Sequence, residues 1–199
     1  MSSQLGLDFG FDDVEHPTGL EIVEGFLNPY EADALLLEID RSPWMADLSR
    51  RVQHYGYRYD YRAKRVDHSM KLGPLPSWLR SIAEDLRARG WFDHEPDQAI
   101  VNEYEPGQGI SAHVDCEPCF GETVASLSLA SSVTMRFERL SDGSSIDVRL
   151  PERSLAVLTD DARHQWTHAI PARKSDVVDG VRVPRHRRVS VTFRSVVLS

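Results

Sequence analysis

The stretch VNEYEPGQGISAHVD, residues 101–115, is the part of this chain from which its fold and chemistry are most readily inferred. It contains two strand-like pieces joined by residues 106–109, whose sequence Pro-Gly-Gln-Gly is typical of a turn. Because alternate side chains of a strand share a face, His113 and Asp115 point the same way. An imidazole beside a carboxylate supplies two ligands of a metal site, which needs a third.

The C-terminal part of the chain offers that third ligand. His168, in the segment WTHAI, is the only histidine after His113 in an apolar, strand-like setting. His164 is the second choice, because four residues along a strand it would share the face of His168. Two histidines and a carboxylate leave three open positions on a six-coordinate metal, which suits non-haem Fe(II). Zinc in a hydrolase can use the same ligands, and their spacing does not distinguish the two metals.

A strictly alternating segment follows at residues 187–198, RRVSVTFRSVVL. One of its faces is apolar, and the other carries Arg188, Ser190, Thr192 and Arg194. On the outside of a sheet such a polar face is simply solvated. Inside a small barrel or sandwich, its two guanidiniums would bind a small dianionic acid through paired hydrogen bonds.

Together these residues resemble the signature of the AlkB family, whose members are Fe(II)- and 2-oxoglutarate-dependent dioxygenases. The resemblance extends over residues 20–196 and is strongest to the dioxygenase domain of a homologue that hydroxylates wobble uridines in tRNA. It implies that Fe(II) is bound by His113, Asp115 and His168. It also implies that 2-oxoglutarate, which is consumed together with O2, contacts Asn102, Tyr104, Arg188, Ser190 and Arg194. The arginines favour iron, since a zinc hydrolase needs no clamp for a dicarboxylate.

The AlkB family has a nucleotide-recognition lid in the region that corresponds to residues 45–75. Four tyrosines stand there at alternate positions, which on a strand would line one face: Tyr55, Tyr57, Tyr59 and Tyr61. Such rings either pack into a core or stack on a nucleobase, with neighbouring arginines near phosphates. We expect five residues to contact the substrate: Arg51, Tyr55, Tyr57, Arg58 and Glu117.

The composition limits the remaining choices. A formal charge of −8, with 41% hydrophobic and 27% charged residues, is ordinary for one globular domain over residues 1–199. No apolar run approaches membrane-spanning length, and the N-terminus lacks a signal pattern. We therefore expect a cytoplasmic protein that does not bind membranes, and a monomer. Cys116 and Cys119 are the only cysteines, and a zinc or redox role for one such pair is weakly supported.

Basic residues are concentrated in two segments. Residues 50–71 and 171–194 carry seven Lys or Arg each, whereas residues 1–40 carry none. We interpret the two segments as surfaces for the phosphates of a nucleic acid whose target base enters the site. Helix and loop surfaces that happen to be charged would give the same pattern.

The hydrophobic pattern predicts a mainly β protein braced by two helices. One amphipathic helix begins near the Asn-Pro pair at residues 28–29, and a second occupies residues 76–89. Short strands follow one another over residues 98–197, and with the resemblance they predict a double-stranded β-helix, or jelly roll. Residues 1–19 show no clean period and should form an irregular lead-in.

The resemblance to the AlkB family leaves more than one substrate open. The tRNA-hydroxylating homologue also carries an RNA-binding module and a methyltransferase domain, for which this chain has no room. We therefore expect oxidative dealkylation of damaged bases in DNA or RNA first. Hydroxylation of a modified wobble uridine in tRNA is the second expectation, and a protein-directed oxygenase the third. The cofactor performs the oxidation in each case, so no side chain needs to act as nucleophile or general base.

Overall fold

The structure is a computed structural model that describes residues 16–46 and 49–198. The lead-in expected over residues 1–19 lies outside the described residues except for residues 16–19, of which residues 18 and 19 form a turn. Twelve strands are described, in chain order β1 (Leu20–Val23), β2 (Val52–Tyr55), β3 (Gln98–Tyr104), β4 (Ile110–His113), β5 (Phe120–Leu129), β6 (Val133–Arg139), β7 (Ser145–Leu150), β8 (Leu155–Leu158), β9 (Trp166–Ile170), β10 (Ser175–Val178), β11 (Val181–Pro184) and β12 (Arg188–Val196). The α-helices are α1 (Pro29–Arg41), α2 (Ser77–Ala88) and α3 (Asp160–His164), with a short 3₁₀ helix at His68–Met70.

Two antiparallel sheets hold ten of these strands. The larger sheet has the order β1-β8-β5-β12-β3-β2, and the smaller has the order β4-β9-β6-β7. The remaining pair, β10 and β11, forms a separate hairpin. Neighbours in each sheet that are far apart in sequence, such as β3 beside β12, are characteristic of a jelly roll. The predicted fold class is therefore confirmed.

Helices α1 and α2 cover the outer face of the larger sheet. The first begins at a capping box, in which Asn28 and Glu31 each accept a hydrogen bond from the other's backbone amide. Apolar residues of both helices, among them Leu35 and Leu79, share one core with the apolar face of β12. That face consists of Val189, Val191 and Phe193, none of which is exposed.

The opposite face of β12 points between the two sheets. Its polar residues line a cavity of about 670 Å³, to which strands of both sheets contribute. The alternation read from residues 187–198 therefore separates a helix-covered apolar face from a polar interior, and the solvated-face alternative is wrong. None of the helices in the described part of the chain has the length and apolar composition needed to cross a membrane.

The segment with four tyrosines departs from its prediction. Strand β2 ends at Tyr55, and Gly56 adopts a positive φ of +76°. A side chain at Gly56 would lie 1.8 Å from the carbonyl oxygen of Asp97, so only glycine fits this turn. The chain changes direction there, and the four rings do not share one face.

Two further elements differ from the pattern read in the sequence. His164 was expected on a strand, but it belongs to helix α3, which changes its position. The hairpin of β10 and β11 was not expected. Its Asp179-Gly180 turn has both residues at positive φ, which is typical of a tight hairpin connection.

Candidate metal centre and co-substrate pocket

The three predicted metal ligands meet at one end of the cavity. Strands β4 and β9 pair so that His113 lies directly opposite His168, with their ring centroids 4.4 Å apart. Asp115 follows β4 by two residues and is buried. One potential ligand atom from each residue lies within 4.8 Å of the other two. His113, Asp115 and His168 thus converge as the sequence predicts.

Hydrogen bonding around these side chains leaves atoms free for a metal. The Nδ1 atom of His113 lies 2.8 Å from the carbonyl oxygen of Ser111, which leaves Nε2 as the ligand atom. His168 Nε2 lies 3.4 Å from Asp115 Oδ2. Within the described residues, neither Asp115 Oδ2 nor His168 Nδ1 has a hydrogen-bond partner, although both atoms are buried. Buried polar atoms are normally paired, so these residues fit a metal ion that would satisfy the carboxylate.

The electrostatic environment keeps the ligands deprotonated. Burial alone would raise the pKa of Asp115, but the positive charge of Arg194 holds that pKa well below its usual range. Burial lowers the pKa of His168 to about 4, and the attraction of Asp115 for a proton only partly offsets this effect. An ionised carboxylate and a neutral imidazole are the forms that bind a divalent metal.

A buried arginine that the sequence analysis did not single out supports the metal ligands. Arg163 in α3 is 2% exposed, and its guanidinium donates to the backbone carbonyls of Asp115, Phe120 and Gly121. Three donors to three carbonyls fix the backbone around the ligand carboxylate. We therefore expect Arg163 to act as a positioning residue. A charged residue in a short polar segment gave no signal in the sequence that it would be buried.

The far end of the cavity is built for an anion. Arg188 is 2% exposed, and its Nη2 donates to Ser128 Oγ at 2.8 Å. Its Nε and Nη1 atoms are buried without a hydrogen-bond partner among the described residues, and burial lowers the pKa of Arg188 to about 10. An unpaired buried guanidinium is costly, so these free donors fit the carboxylate of a bound acid.

The other residues predicted to contact 2-oxoglutarate surround the same space. On β3, Asn102 lies opposite Ser190 of β12, and Tyr104 lies opposite Arg188. All four line the cavity together with Arg194, whose guanidinium pairs with Asp115 near the metal ligands. The two arginines therefore stand at the two ends of the cavity, as a clamp for a small dicarboxylate requires.

Comparison with known proteins agrees with this geometry. Residues 40–194 match the family model of the 2OG-Fe(II) oxygenase superfamily. The chain belongs to this superfamily. The tRNA (carboxymethyluridine(34)-5-O)-methyltransferase ALKBH8 of Macaca fascicularis is 38% identical over 90% of this chain and 31% of its own length. The Alkylated DNA repair protein ALKBH8 homolog of Arabidopsis thaliana is 37% identical over 89% of this chain and 58% of its own length.

The fold of the oxygenase is likewise that of a solved AlkB homologue. The structure of OsALKBH1 superposes with a TM-score of 0.66 at 18% identity and covers 91% of this chain and 98% of its own. The family match and the converging triad make Fe(II) and 2-oxoglutarate the cofactor and co-substrate of this AlkB-type oxygenase. The chain spans about a third of the length of the ALKBH8 relative from Macaca fascicularis.

The residues expected to bind the substrate of the oxygenase are only partly brought to the cavity. Glu117 lines its rim, and so do the rings of Tyr59 and Tyr61, which meet edge to face at 4.9 Å. The ring of Tyr55 instead packs against Trp78 of α2 at 5.2 Å.

Three other residues that were expected to contact the substrate do not line the cavity either: Tyr57, Arg51 and Arg58. Tyr57 is 7% exposed and belongs to a separate small core. Arg51 pairs with Glu103 and lies over the ring of Trp44. The turn at Gly56 separates Tyr55 from the other three tyrosines, of which Tyr59 and Tyr61 line the cavity.

His164 is not placed as a metal ligand. Because it belongs to α3, its Nδ1 and Nε2 atoms lie 3.2 and 2.9 Å from carboxylate oxygens of Glu117 and Glu122. The alternative assignment of His164 as third ligand is therefore wrong. Cys116 and Cys119 form a disulfide directly after Asp115, and both sulfurs lie 3.3 Å from the carbonyl oxygen of Lys64.

The second basic segment, residues 171–194, is mostly used inside the protein. Arg173 and Arg185 both pair with the buried Asp176. Arg187 pairs with Glu103 and with Asp40 of α1. Since Arg188 and Arg194 face the cavity, only a small part of this segment is available to phosphates, and its interpretation as a basic surface is not supported.

Proposed function

We propose that this oxygenase acts on nucleic acid and that its substrate is a modified uridine at the wobble position of tRNA. The metal triad opening into a cavity with an unpaired Arg188 is the observation that carries the oxygenase activity. The substrate is supported by the charge inside that cavity and by the similarity to ALKBH8.

The residues of this chain have separate roles in the reaction. His113, Asp115 and His168 would hold Fe(II), and Arg188 would bind the distal carboxylate of 2-oxoglutarate. Bound iron with 2-oxoglutarate and O2 supplies an oxidant for a nearby C–H bond, while 2-oxoglutarate becomes succinate and CO2. Apolar side chains that line the cavity from both sheets limit the access of water to the reacting groups: Ile110, Val124, Met135, Leu158 and Ile170.

The lid region gives a reason for a nucleobase as substrate. Tyr59 and Tyr61 line the cavity with their rings edge to face, and the exposed Lys64 lines it beside them. Enzymes that oxidise a base take it out of the stack and hold it between aromatic side chains. We propose that residues 45–75 act as this lid and that the two tyrosines hold the base.

The charge of the cavity favours a neutral or anionic base. Arg50, Arg188 and Arg194 line the cavity, and Asp115 is the one buried carboxylate that offsets them within the described residues. Fe(II) and the 2-oxoglutarate dianion cancel each other's charge, so the excess of positive charge remains when both are bound. Bases such as 1-methyladenine and 3-methylcytosine, which are cationic, would be repelled. A uridine modified at carbon carries no such charge.

Oxidative dealkylation of damaged bases is a second candidate. The carboxylate of Glu117 at the rim lies where it would attract a cationic base, and it is 56% exposed in its side chain. The name of the Arabidopsis relative also refers to alkylated DNA repair. In this reaction an N-methyl group is hydroxylated and leaves as formaldehyde.

Turnover with matched substrates distinguishes the two candidates. Succinate release would be measured with Fe(II) and 2-oxoglutarate in the presence of bulk tRNA or of oligonucleotides that carry 1-methyladenine or 3-methylcytosine. The proposal predicts stimulation by tRNA, with a uridine that gains one oxygen on nucleoside mass spectrometry. His113→Ala serves as the inactive control. Stimulation by methylated oligonucleotides alone, with release of formaldehyde, would establish the second candidate instead.

A further inference from the structure

Arg50 lines the cavity but is neither a metal ligand nor one of the residues expected to contact 2-oxoglutarate or the substrate. Its side chain lines the cavity, yet the residue is only 8% exposed. Within residues 16–46 and 49–198 it makes no ion pair with an acidic group. Its neighbour Arg51 behaves differently, because it lies on the other side of the sheet and pairs with Glu103. A cation that is buried without an anion is unfavourable unless a ligand supplies one.

The position of Arg50 is fixed relative to the residues that bind the co-substrate. Arg188 lies directly opposite Tyr104, on the β12 side of β3. On the β2 side, Val52 lies opposite Asn102, which places Arg50 beside Tyr104 as well. The guanidinium carbons of Arg50 and Arg188 are 5.6 and 5.5 Å from the centre of the Tyr104 ring. Two arginines therefore flank one tyrosine at the end of the cavity away from the metal ligands.

Arg50 also determines which way Asn102 faces. Its Nε–H donates to Oδ1 of Asn102 at 2.9 Å. A guanidinium has donors only, so the amide oxygen must point toward it. The NH2 group of Asn102 is then turned away from Arg50 and is available to donate to an anion in the cavity. Without Arg50 the amide could rotate and present its oxygen to a carboxylate, which would be repulsive.

The charges around the cavity indicate where a bound anion would lie. Arg194 has an anionic partner in Asp115, whereas Arg50 and Arg188 have none among the described residues. We propose that Arg50 is a positioning residue and second cation for the distal carboxylate of 2-oxoglutarate. It orients Asn102 through a hydrogen bond and adds positive charge beside Arg188. The inference concerns the co-substrate alone, and it stands whether the oxygenase acts on tRNA or on another substrate.

Equilibrium binding tests this role without turnover. The affinity of the Mn(II)-loaded protein for 2-oxoglutarate would be measured by anaerobic calorimetry for wild type, Arg50→Met, Arg50→Lys and Asn102→Ala. Loss of one charge-assisted contact predicts a dissociation constant about tenfold higher for Arg50→Met, with partial recovery in Arg50→Lys. Arg51→Met is the matched control, since Glu103 retains Arg187 and the 2-oxoglutarate affinity should not change.

The double variant Arg50→Met/Asn102→Ala separates a positioning role from a general loss of structure. If Arg50 acts through Asn102, the effects of the two substitutions are less than additive. Should Arg50→Met fail to fold, Asn102→Asp tests the same point. The new carboxylate still accepts a hydrogen bond from Arg50, but it cannot donate one to 2-oxoglutarate and it neutralises the positive charge of Arg50. The affinity for 2-oxoglutarate must therefore fall. Unchanged affinity in Arg50→Met or in Asn102→Asp would overturn the proposal, and weaker tRNA binding with unchanged affinity would assign Arg50 to the substrate instead.

Discussion

The guanidinium of Arg194 is ion-paired with the carboxylate of Asp115, a residue placed to bind the metal. This contact joins the polar face of β12 to the metal site, while Arg188 lies six residues earlier on the same face. The two arginines should therefore differ in what they support. We expect Arg194 to support both the metal ligand and the co-substrate, and Arg188 to support the co-substrate alone.

Paired substitutions test this division. Arg188→Met should raise the dissociation constant for 2-oxoglutarate by about 10- to 100-fold, because a buried charge-assisted hydrogen bond is lost, and Mn(II) affinity should stay within about twofold of wild type. Arg194→Met should weaken both, since Asp115 loses its partner. Calorimetric titration of each variant with Mn(II) and then with 2-oxoglutarate measures the two affinities. Equal loss of Mn(II) affinity in both variants would contradict the division.

A second prediction concerns His168 and His164, the two histidines that the sequence offered as third metal ligand. His168→Ala should lose Mn(II) affinity by at least about 100-fold, because a ligand is removed from a three-residue site. His164→Ala should retain it, since the ring of His164 lies between Glu117 and Glu122 rather than beside Asp115. Electron paramagnetic resonance of free Mn(II) measures both variants. A large loss in His164→Ala would return that residue to the metal site.

Much of this site can be predicted from the alternation of side chains along single strands. The spacing of His113 and Asp115 and the alternation from Arg188 to Arg194 determine which side chains share a face, and the sheet preserves that relation. Only the resemblance to a known family identified the metal and the acid. The apolar setting of His168 and that resemblance predict the third ligand, and the pairing of β4 with β9 is what brings it to the site.

The parts that the sequence did not predict depend on contacts between distant residues. The close approach of Gly56 to Asp97 ends β2 and divides the tyrosines, and no local pattern indicates it. The burial of Arg163 depends on three carbonyls located more than forty residues earlier in the chain. Arg50 and Arg51 are adjacent and alike in sequence, yet one faces the cavity and the other an acidic partner.

Arg163 provides a prediction that separates positioning from ligation. Arg163→Met should lower Mn(II) affinity by about 10- to 100-fold while all three ligands remain, because the backbone of Asp115 loses its support. Arg163→Lys should recover part of this affinity through a single donor. Thermal unfolding of both variants is the accompanying control, since unpaired carbonyls also destabilise the fold. Wild-type Mn(II) affinity in a folded Arg163→Met protein would show that the hydrogen bonds serve stability only.

A further prediction about the substrate compares Tyr59 and Tyr61, which line the cavity, with Tyr55, which does not. Tyr59→Ala and Tyr61→Ala should each weaken tRNA binding by about 1–3 kcal/mol if their rings stack on the base. Tyr55→Ala, whose ring packs on Trp78, should lower the melting temperature and leave the affinity for tRNA unchanged. Filter binding in the presence of Mn(II) and an inert 2-oxoglutarate analogue measures the affinity. Weaker binding only in Tyr55→Ala would place the base on the other side of Gly56.

Glu103 predicts how stability depends on pH. Its carboxylate is 3% exposed and accepts hydrogen bonds from Arg51 and Arg187. The hydrogen bond from Arg51, opposed by burial and assisted by Arg187, lowers the pKa of Glu103 below its ordinary value of 4.5. The unfolded chain therefore binds a proton more readily than the folded one. The stabilisation is complete above pH 4.5 and is lost as the pH falls through the lower pKa of the folded state.

Glu103→Gln removes this titrating group while it keeps an acceptor for one arginine. The variant should be less stable than wild type near pH 7, and the difference should shrink as the pH falls below 4.5. Melting temperatures measured from pH 7 down to about pH 3 report it, at about 2–4 °C for each kcal/mol in a protein of this size. Glu38→Gln, an exposed residue of α1, is the control and should follow wild type at every pH. A constant difference between Glu103→Gln and wild type across this range would mean that the ion pairs of Glu103 contribute nothing that depends on its charge.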